Sequence, residues 1–265
     1  MGRISDCDDY TPSVNCAVDE QTALAASFDD VMTLLNGGEM TVRGLLPGSS
    51  NYTFLADICD DRFEGMAVYK PRQGETPLWD FPHGTLFQRE MAAFQVSQML
   101  GWGLVPPTVT RIGPYGKGAV QFFVDADFSQ HYFSFRDESA LFPTLMRVAA
   151  FDIMINNADR KGGHTLRDHD GRVWAIDHGV CFHTQPKLRT VIWEFADQPI
   201  PSDMCDELRA FLASVAADDL MAAELRDMLS AAEVRALVRR TERLLAAGQF
   251  PEPDPNRRCY PWPLV

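Results

Sequence analysis

The sequence lacks any apolar run close to the roughly 18 residues that a membrane-spanning helix requires. Its first ten residues, MGRISDCDDY, are polar and contain no apolar core of a secretory signal. Asp6 stands where the N-myristoylation pattern requires Ser or Thr. We therefore expect a cytoplasmic protein without integral membrane association.

Positive charge is also scarce, because 24 Lys and Arg residues face 37 Asp and Glu residues, for a formal net charge of −13. Nucleic-acid-binding domains present a basic face, so we expect no nucleic-acid partner. The six cysteines show no C-x-x-C spacing, which favours free thiols in a reducing compartment. An oxidised pair is left open for Cys7 and Cys16 alone.

No internal repeat is visible, and the element types change along the chain. Residues 1–43 read as an N-terminal extension with one helix, from Asp19 to Leu35, that Gly37 and Gly38 end. Residues 44–127 contain strand-like segments joined by turns, and residues 128–265 contain amphipathic helices and a proline-rich tail. Strands in one half and helices in the other predict an α+β fold.

Two isolated aspartates mark the segment FDIMINNADRKGGHTLRDHDGRVWAIDHGV. Asp159 and Asp177 each lie at the edge of an apolar run, the second in the pattern strand, Asp, His, Gly. Phosphoryl transfer needs one carboxylate to orient a hydroxyl and another to hold a divalent metal against nucleotide phosphates. Two acidic surface loops are the competing interpretation for this segment alone.

Upstream segments favour the phosphoryl-transfer interpretation. Lys70 lies at the end of the strand-like segment FEGMAVYKPR, and Glu90 lies in the helical segment LFQREMAAFQVSQMLGW. Such a pair fixes a phosphate-binding lysine in phosphotransferases. Residues 44–55, GLLPGSSNYTFL, form a small-residue turn whose backbone N–H groups could cover phosphates.

These motifs, in this order, resemble the atypical kinases of the phosphatidylinositol 3-/4-kinase superfamily. The resemblance is greatest to type II phosphatidylinositol 4-kinases and related bacterial proteins, with their N-x-D-R and A-I-D-x-G segments. Here these segments are NNADRKGGH and AIDHG. The resemblance covers residues 44–182 and implies a bilobed protein-kinase-like fold with an antiparallel-sheet N-lobe and a mainly helical C-lobe.

The resemblance also implies catalytic and metal-binding roles. Asp159 is the expected catalytic carboxylate, and Lys161 would stabilise charge on the transferred phosphoryl group. Asp177 would bind Mg²⁺ or Mn²⁺ between the phosphates of ATP. His164 stands where related kinases place a metal-binding asparagine, and an imidazole suits Mn²⁺ better than Mg²⁺.

The remaining expected site residues bind ATP. Lys70 would contact the phosphates, with Glu90 orienting it, and the phosphate loop would contain Ser49, Ser50 and Asn51. Adenine would lie beside the strand end formed by Gln121, Phe122, Phe123 and Val124, between the apolar side chains of Val68 and Ile176.

Two other functions remain open at this stage. A metal-dependent hydrolase could use His164, His169, His178 and His183 with the two aspartates, although no compact ligand motif is present. A nucleotide-binding pseudokinase would agree with His164 and with the lack of an extended G-x-G-x-x-G loop. The hydroxyl acceptor also stays open between a phosphoinositide, a protein and a small molecule.

Overall fold

The computed structural model describes residues 26–48, 51–217 and 219–265. The chain forms an α+β fold of two lobes, a five-stranded antiparallel sheet lobe followed by a mainly helical lobe. The predicted fold class is therefore confirmed. Outside the described residues lie the predictions for Ser49, Ser50, Cys7 and Cys16. The described cysteines are free thiols: Cys59, Cys181, Cys205 and Cys259.

The sheet lobe consists of two helices and five strands. The helices are α1 (Phe28–Gly37) and α2 (Leu86–Met99). The strands are β1 (Glu39–Leu45), β2 (Phe54–Cys59), β3 (Glu64–Pro71), β4 (Thr108–Gly113) and β5 (Gly116–Phe122). They lie side by side in the order β1-β2-β3-β5-β4. Strand β3 is therefore the central strand of the sheet, and Lys70 lies near its end.

The first elements differ from the prediction in their bounds. Helix α1 begins at Phe28 because Ser27 caps it: Ser27 Oγ accepts from the Asp30 N–H, and the Asp30 carboxylate accepts from the Ser27 N–H. The predicted start at Asp19 lies outside the described residues. The sheet begins before residue 44, the predicted start of the strand-containing lobe, because strand β1 starts at Glu39. The register shift between Val42 and Gly44 is an irregularity within this strand.

Alternation along strand β3 divides its side chains between two faces of the sheet. Ala67 and Tyr69 are fully buried in the apolar core beneath helix α1. Val68 and Lys70 point to the other face and line the cleft between the lobes. A single strand thus contributes both to the core and to the cleft.

The helical lobe begins with a strand and contains a second sheet. Its elements are β6 (Ala126–His131), α3 (Tyr132–Phe135), α4 (Phe142–Ile155), β7 (Thr165–Asp168), β8 (Val173–Ala175), α5 (Ser202–Ala217), α6 (Leu220–Met228) and α7 (Ala231–Ala247). Strands β6, β7 and β8 form a three-stranded antiparallel sheet. Strand β6 spans the predicted lobe boundary at residues 127 and 128.

The largest apolar core joins helix α2 to the helical lobe. Buried residues of α2, such as Ala92 and Phe94, belong to the same cluster as Phe151 of α4 and Phe211 of α5. Helix α2 therefore packs on both lobes and lies across the cleft between them. Among the described helices, none has the length and apolar character that crossing a bilayer would require.

Candidate active site

Lys70 lies at the centre of the cleft between two carboxylates. Its Nζ is 2.5 Å from Glu90 Oε1, on helix α2, and 2.9 Å from Asp177 Oδ1, just after strand β8. The second oxygen of Glu90 accepts the backbone N–H of His178 at 2.9 Å. Glu90 thus connects the lysine strand to the segment that carries Asp177.

These contacts change the pKa values of the charged groups. Burial lowers the pKa of Lys70, but the carboxylates of Asp177 and Glu90 outweigh that effect and leave it raised. The ammonium of Lys70 holds the pKa of Asp177 well below its usual range. At neutral pH the cleft therefore presents a charged lysine and an ionised aspartate.

The loop after helix α4 carries Asp159. The helix ends at Asn156, which adopts a left-handed conformation with φ of 55°. Asn157 then accepts the Asp159 N–H through its side-chain oxygen at 2.9 Å. The carboxylate of Asp159 lies 3.1 Å from Lys161 Nζ. The loop therefore brings the two predicted catalytic side chains together.

His164 lies against Asp177, as the predicted metal-binding pair requires. Its Nδ1 is 2.9 Å from the main-chain oxygen of Asp159, and because a carbonyl only accepts, the proton in this contact is on Nδ1. The Nε2 lone pair then faces Asp177 Oδ2 at 3.3 Å. Burial lowers the pKa of His164, opposed by Asp177. Nε2 of His164 and Oδ2 of Asp177 are therefore two neighbouring ligand atoms that could bind a cation.

The structure separates the histidines that the metal-hydrolase alternative would combine. His178 is fully buried, and burial together with Arg160 lowers its pKa well below the usual value. His183 instead contacts the ring of Phe81, with ring centroids 5.3 Å apart. Within the described residues, no three His, Cys, Asp or Glu side chains converge as a metal site. The clustered histidines of the sequence are thus dispersed by the fold.

Arg160, the arginine of the N-x-D-R segment, is a residue to which the sequence assigned no role. It is fully buried and forms an ion pair with Asp152 of helix α4 at 3.0 Å. Its Nη1 donates to the main-chain oxygens of His164 and Ile176, at 2.8 and 2.9 Å, and its Nη2 contacts His178 Nε2 at 2.7 Å. Arg160 therefore fixes the Asp159 loop relative to the Asp177 segment.

Two adjoining cavities contain the described site residues. The larger, about 420 Å³, is lined by Val68, Lys70, Gln121, Phe122, Phe123, Val124, His164, Ile176 and Asp177. The smaller, about 150 Å³, is lined by Asn51, Lys70, Glu90, Asp159, Lys161, His164 and Asp177. Lys70, His164 and Asp177 line both cavities. The cleft thus has an apolar compartment that opens onto a charged one.

Two predicted residues have side chains engaged by protein groups. Gln121 Nε2 donates to Thr108 Oγ1 at 2.9 Å, so this amide nitrogen is engaged within the protein. Asn51 Oδ1 accepts the Thr76 N–H at 2.7 Å and joins the predicted phosphate loop to the segment after β3. The apolar cavity also includes Phe128 of β6 and Leu166 of β7, which lie close to recognised motifs but were not assigned to the site by sequence reasoning.

The fold and this cleft define a class: a bilobed α+β protein with a lysine–glutamate pair and two aspartates between its lobes. Protein Rv2133c of Mycobacterium tuberculosis is 41% identical over a 268-residue alignment that covers 89% of this chain and 95% of that protein. The chain therefore belongs to the family of this mycobacterial protein. No protein-family model matches the sequence.

The chain is also similar to a solved structure. It is the crystal structure of a proinflammatory kinase, CtkA, from Helicobacter pylori, with 11% sequence identity and a TM-score of 0.47. The similarity covers 82% of this chain and 94% of that one. A similarity this remote carries no argument about the site.

Proposed function

We propose that the protein is an ATP-dependent phosphotransferase of the atypical, phosphatidylinositol-kinase-like type, which transfers the γ-phosphoryl group to a hydroxyl. The observation that carries the proposal is the convergence at Lys70. The lysine contacts Glu90 and Asp177 at 2.5 and 2.9 Å, and its charged cavity also contains Asp159. Phosphoryl transfer requires this set of groups.

The two cavities divide the nucleotide between them in this proposal. The apolar compartment beside Val68 and Ile176 suits the adenine base, since small-molecule sites are mostly apolar with a few polar groups. The charged compartment beside Lys70 suits the phosphates. Glu90, held by both Lys70 and the His178 N–H, keeps the lysine in place.

Asp177 and His164 would hold the metal ion of Mg²⁺–ATP or Mn²⁺–ATP, and phosphate oxygens would complete its ligands. When bound, the ion supplies positive charge that neutralises the phosphates. Nε2 of His164 and Oδ2 of Asp177 already face each other. The neutral form of His164, which burial favours, is the form that binds metals.

Asp159 and Lys161 would act on the acceptor side. Asp159 orients the acceptor hydroxyl and takes its proton while the hydroxyl oxygen bonds to the γ-phosphorus and the bond to the β–γ bridging oxygen breaks. Lys161, 3.1 Å from Asp159, stabilises the negative charge on the transferred group. The products are ADP and a phosphate ester.

Calorimetric titration of ATP with Mg²⁺ or Mn²⁺ tests the proposal. We expect metal-dependent binding, weakened by more than about tenfold in Asp177→Asn. Asp170→Asn, at an exposed position in the nearby turn, is the matched control. No heat with either metal would refute the phosphotransferase. Metal-dependent binding without release of ADP under any acceptor condition would instead identify a nucleotide-binding scaffold.

A further inference from the structure

Residues 72–85, between β3 and α2, form a loop that is anchored to several parts of the molecule. We name them the β3–α2 loop. Thr76 N–H donates to Asn51 Oδ1 of the phosphate loop at 2.7 Å. Asp80 forms an ion pair with Lys187 of the helical lobe at 2.6 Å, and both side chains are largely buried. The loop is therefore a fixed wall of the cleft.

The loop itself, together with Leu86 of α2, lines a third cavity of about 370 Å³ that opens to solvent. Glu75 and Leu86 line both this cavity and the charged compartment that contains Asp159, so the two spaces adjoin. The volume lies within the range of roughly 300–1,000 Å³ that small-molecule sites occupy. The cavity is thus a neighbour of the phosphate site that is large enough for a small molecule.

The guanidinium of Arg72 favours an anion in this third cavity. Arg72 and His83 line it with exposed side chains, and among the described residues Arg72 forms no ion pair. The acidic residue of the lining, Glu75, already accepts the Phe87 N–H at the beginning of helix α2, at 2.9 Å. In a chain with a net charge of −13, a free guanidinium beside a phosphate site indicates recognition of negative charge.

The loop holds the Arg72 side chain in place through Gly84. A Cβ built at Gly84 would lie 2.3 Å from Arg72 Nε and 3.1 Å from Arg72 Nη2, so the guanidinium lies directly against the glycine. The φ of Gly84 is +70°, which L side chains rarely adopt. Position 84 therefore favours glycine for its backbone, and a side chain there would displace the Arg72 guanidinium from its present position.

We infer that this cavity is the acceptor site and that the acceptor is a small, soluble alcohol carrying a phosphate or carboxylate group. The inference rests on the proposed phosphotransferase function and adds a substrate class to it. Arg72 and His83 bind the anionic group, and the hydroxyl end of the molecule extends past Glu75 and Leu86 towards Asp159. The alcohol gains the γ-phosphoryl group and loses its proton to Asp159.

Direct binding tests the site apart from turnover. Calorimetry with inorganic phosphate and with glycerol 3-phosphate should show binding that Arg72→Gln weakens roughly ten- to hundredfold, the range for hydrogen bonds to charged groups. Lys70→Met should retain this binding, because Lys70 lies in the nucleotide cavities. Loss in Lys70→Met with retention in Arg72→Gln would place the anion in the nucleotide site and overturn the inference.

Glycine and arginine variants provide matched controls. Gly84→Ala should weaken binding of the same two probes as Arg72→Gln does, since it displaces the guanidinium. Gly101→Ala imposes the same backbone strain, with φ of +66°, but its Cβ meets nothing within 4 Å, so probe binding should be unchanged. Arg209→Gln changes an exposed arginine on α5 and should also have no effect. Equal binding by Gly84→Ala and Gly101→Ala overturns the role of Arg72.

Measurements of ADP release distinguish a small anionic alcohol from a lipid or a protein as the acceptor. ADP release should be stimulated by glycerol 3-phosphate and by glycerate more than by glycerol, and Arg72→Gln should raise the KM of these anionic alcohols but not that of ATP. Stimulation only by phosphatidylinositol vesicles or by a protein would overturn the small-molecule acceptor. Absence of ATP binding in the wild type would instead refute the phosphotransferase, whatever the phosphate titration shows.

Discussion

Arg89 and Glu233 connect helix α2 to helix α7 through an ion pair of 2.6 Å in which the arginine is almost fully buried. Arg89 also donates to the main-chain oxygen of Cys181 at 2.7 Å. Because Arg89 directly precedes Glu90, this ion pair fixes the helix that carries the partner of Lys70. Helix α7 of the helical lobe thus helps to position Glu90 in the cleft.

Glu233→Gln should lower stability at neutral pH but have little effect in acid. Burial raises the pKa of Glu233, but Arg89 outweighs it and leaves the pKa lowered. The carboxyl group of Glu233 therefore binds a proton more readily in the unfolded chain than in the folded protein. The ion pair stabilises the folded protein fully above the unfolded pKa of about 4.3. This stabilisation is lost as the pH falls through the folded pKa. Denaturant unfolding at pH 7 and below pH 4 measures the difference.

The control for this experiment is Glu242→Gln, at an exposed position of the same helix. It should shift the unfolding midpoint little at either pH. If Glu233→Gln lowers the free energy of unfolding by the same amount at pH 7 and in acid, the ion pair with Arg89 is not the cause of the lost stability.

Lys70→Met and Asp159→Ala should separate binding from chemistry. Lys70 contacts both Glu90 and Asp177, so its loss should weaken ATP binding and abolish turnover. Asp159 lies on the acceptor side with Lys161. Its loss should spare ATP affinity and lower kcat by about 10²- to 10⁴-fold, the usual contribution of a general base. Calorimetry and ADP release measure the two effects, and equal turnover by wild type and Asp159→Ala would refute the catalytic assignment.

His164→Asn should shift the preferred metal from Mn²⁺ towards Mg²⁺. The imidazole Nε2 faces Asp177 at 3.3 Å, and an amide oxygen is a harder ligand that suits Mg²⁺ better. ATP affinity is measured with each ion for both proteins. His169→Asn, at an exposed position of the neighbouring turn, is the matched control. An unchanged ratio of the two affinities would assign His164 a purely structural role.

Arg160→Met should destabilise the protein by about 3–5 kcal/mol, because it leaves the buried carboxylate of Asp152 without its ion-pair partner. Arg167→Met is the matched control. Arg167 pairs with Glu138 at the surface, at 3.0 Å, and an exposed ion pair contributes at most about 1 kcal/mol. Urea unfolding of both variants gives the comparison. Equal decreases in the free energy of unfolding would contradict the stabilising role of the buried Arg160–Asp152 ion pair.

Local patterns predicted the elements that carry the motifs. The period-2 pattern around Lys70 identified strand β3, and the apolar spacing around Glu90 identified helix α2. Asp159 and Asp177 were recognisable because each follows an apolar run in the order that phosphoryl transfer requires. The structure places all four side chains in one charged cavity.

Contacts between distant segments were not predictable. Arg89 and Glu233 are ordinary charged residues of amphipathic helices, and only packing brings them together. Arg160 was recognised only as the arginine of the N-x-D-R segment, because nothing local indicates its buried partner Asp152. The β3–α2 loop was visible only as a proline- and glycine-rich segment, since its anchors on Asn51 and Lys187 are remote in sequence.

Helix α2 determines how the molecule melts. Its buried residues belong to the apolar core of the helical lobe, while the sheet has a core of its own beneath α1. Separating the two lobes would therefore remove helix α2 from the apolar core in which its buried side chains pack. Heating should produce one cooperative transition, with equal calorimetric and van't Hoff enthalpies. A fragment that ends at Asp127 would expose the apolar face of α2 to water and should aggregate instead of folding.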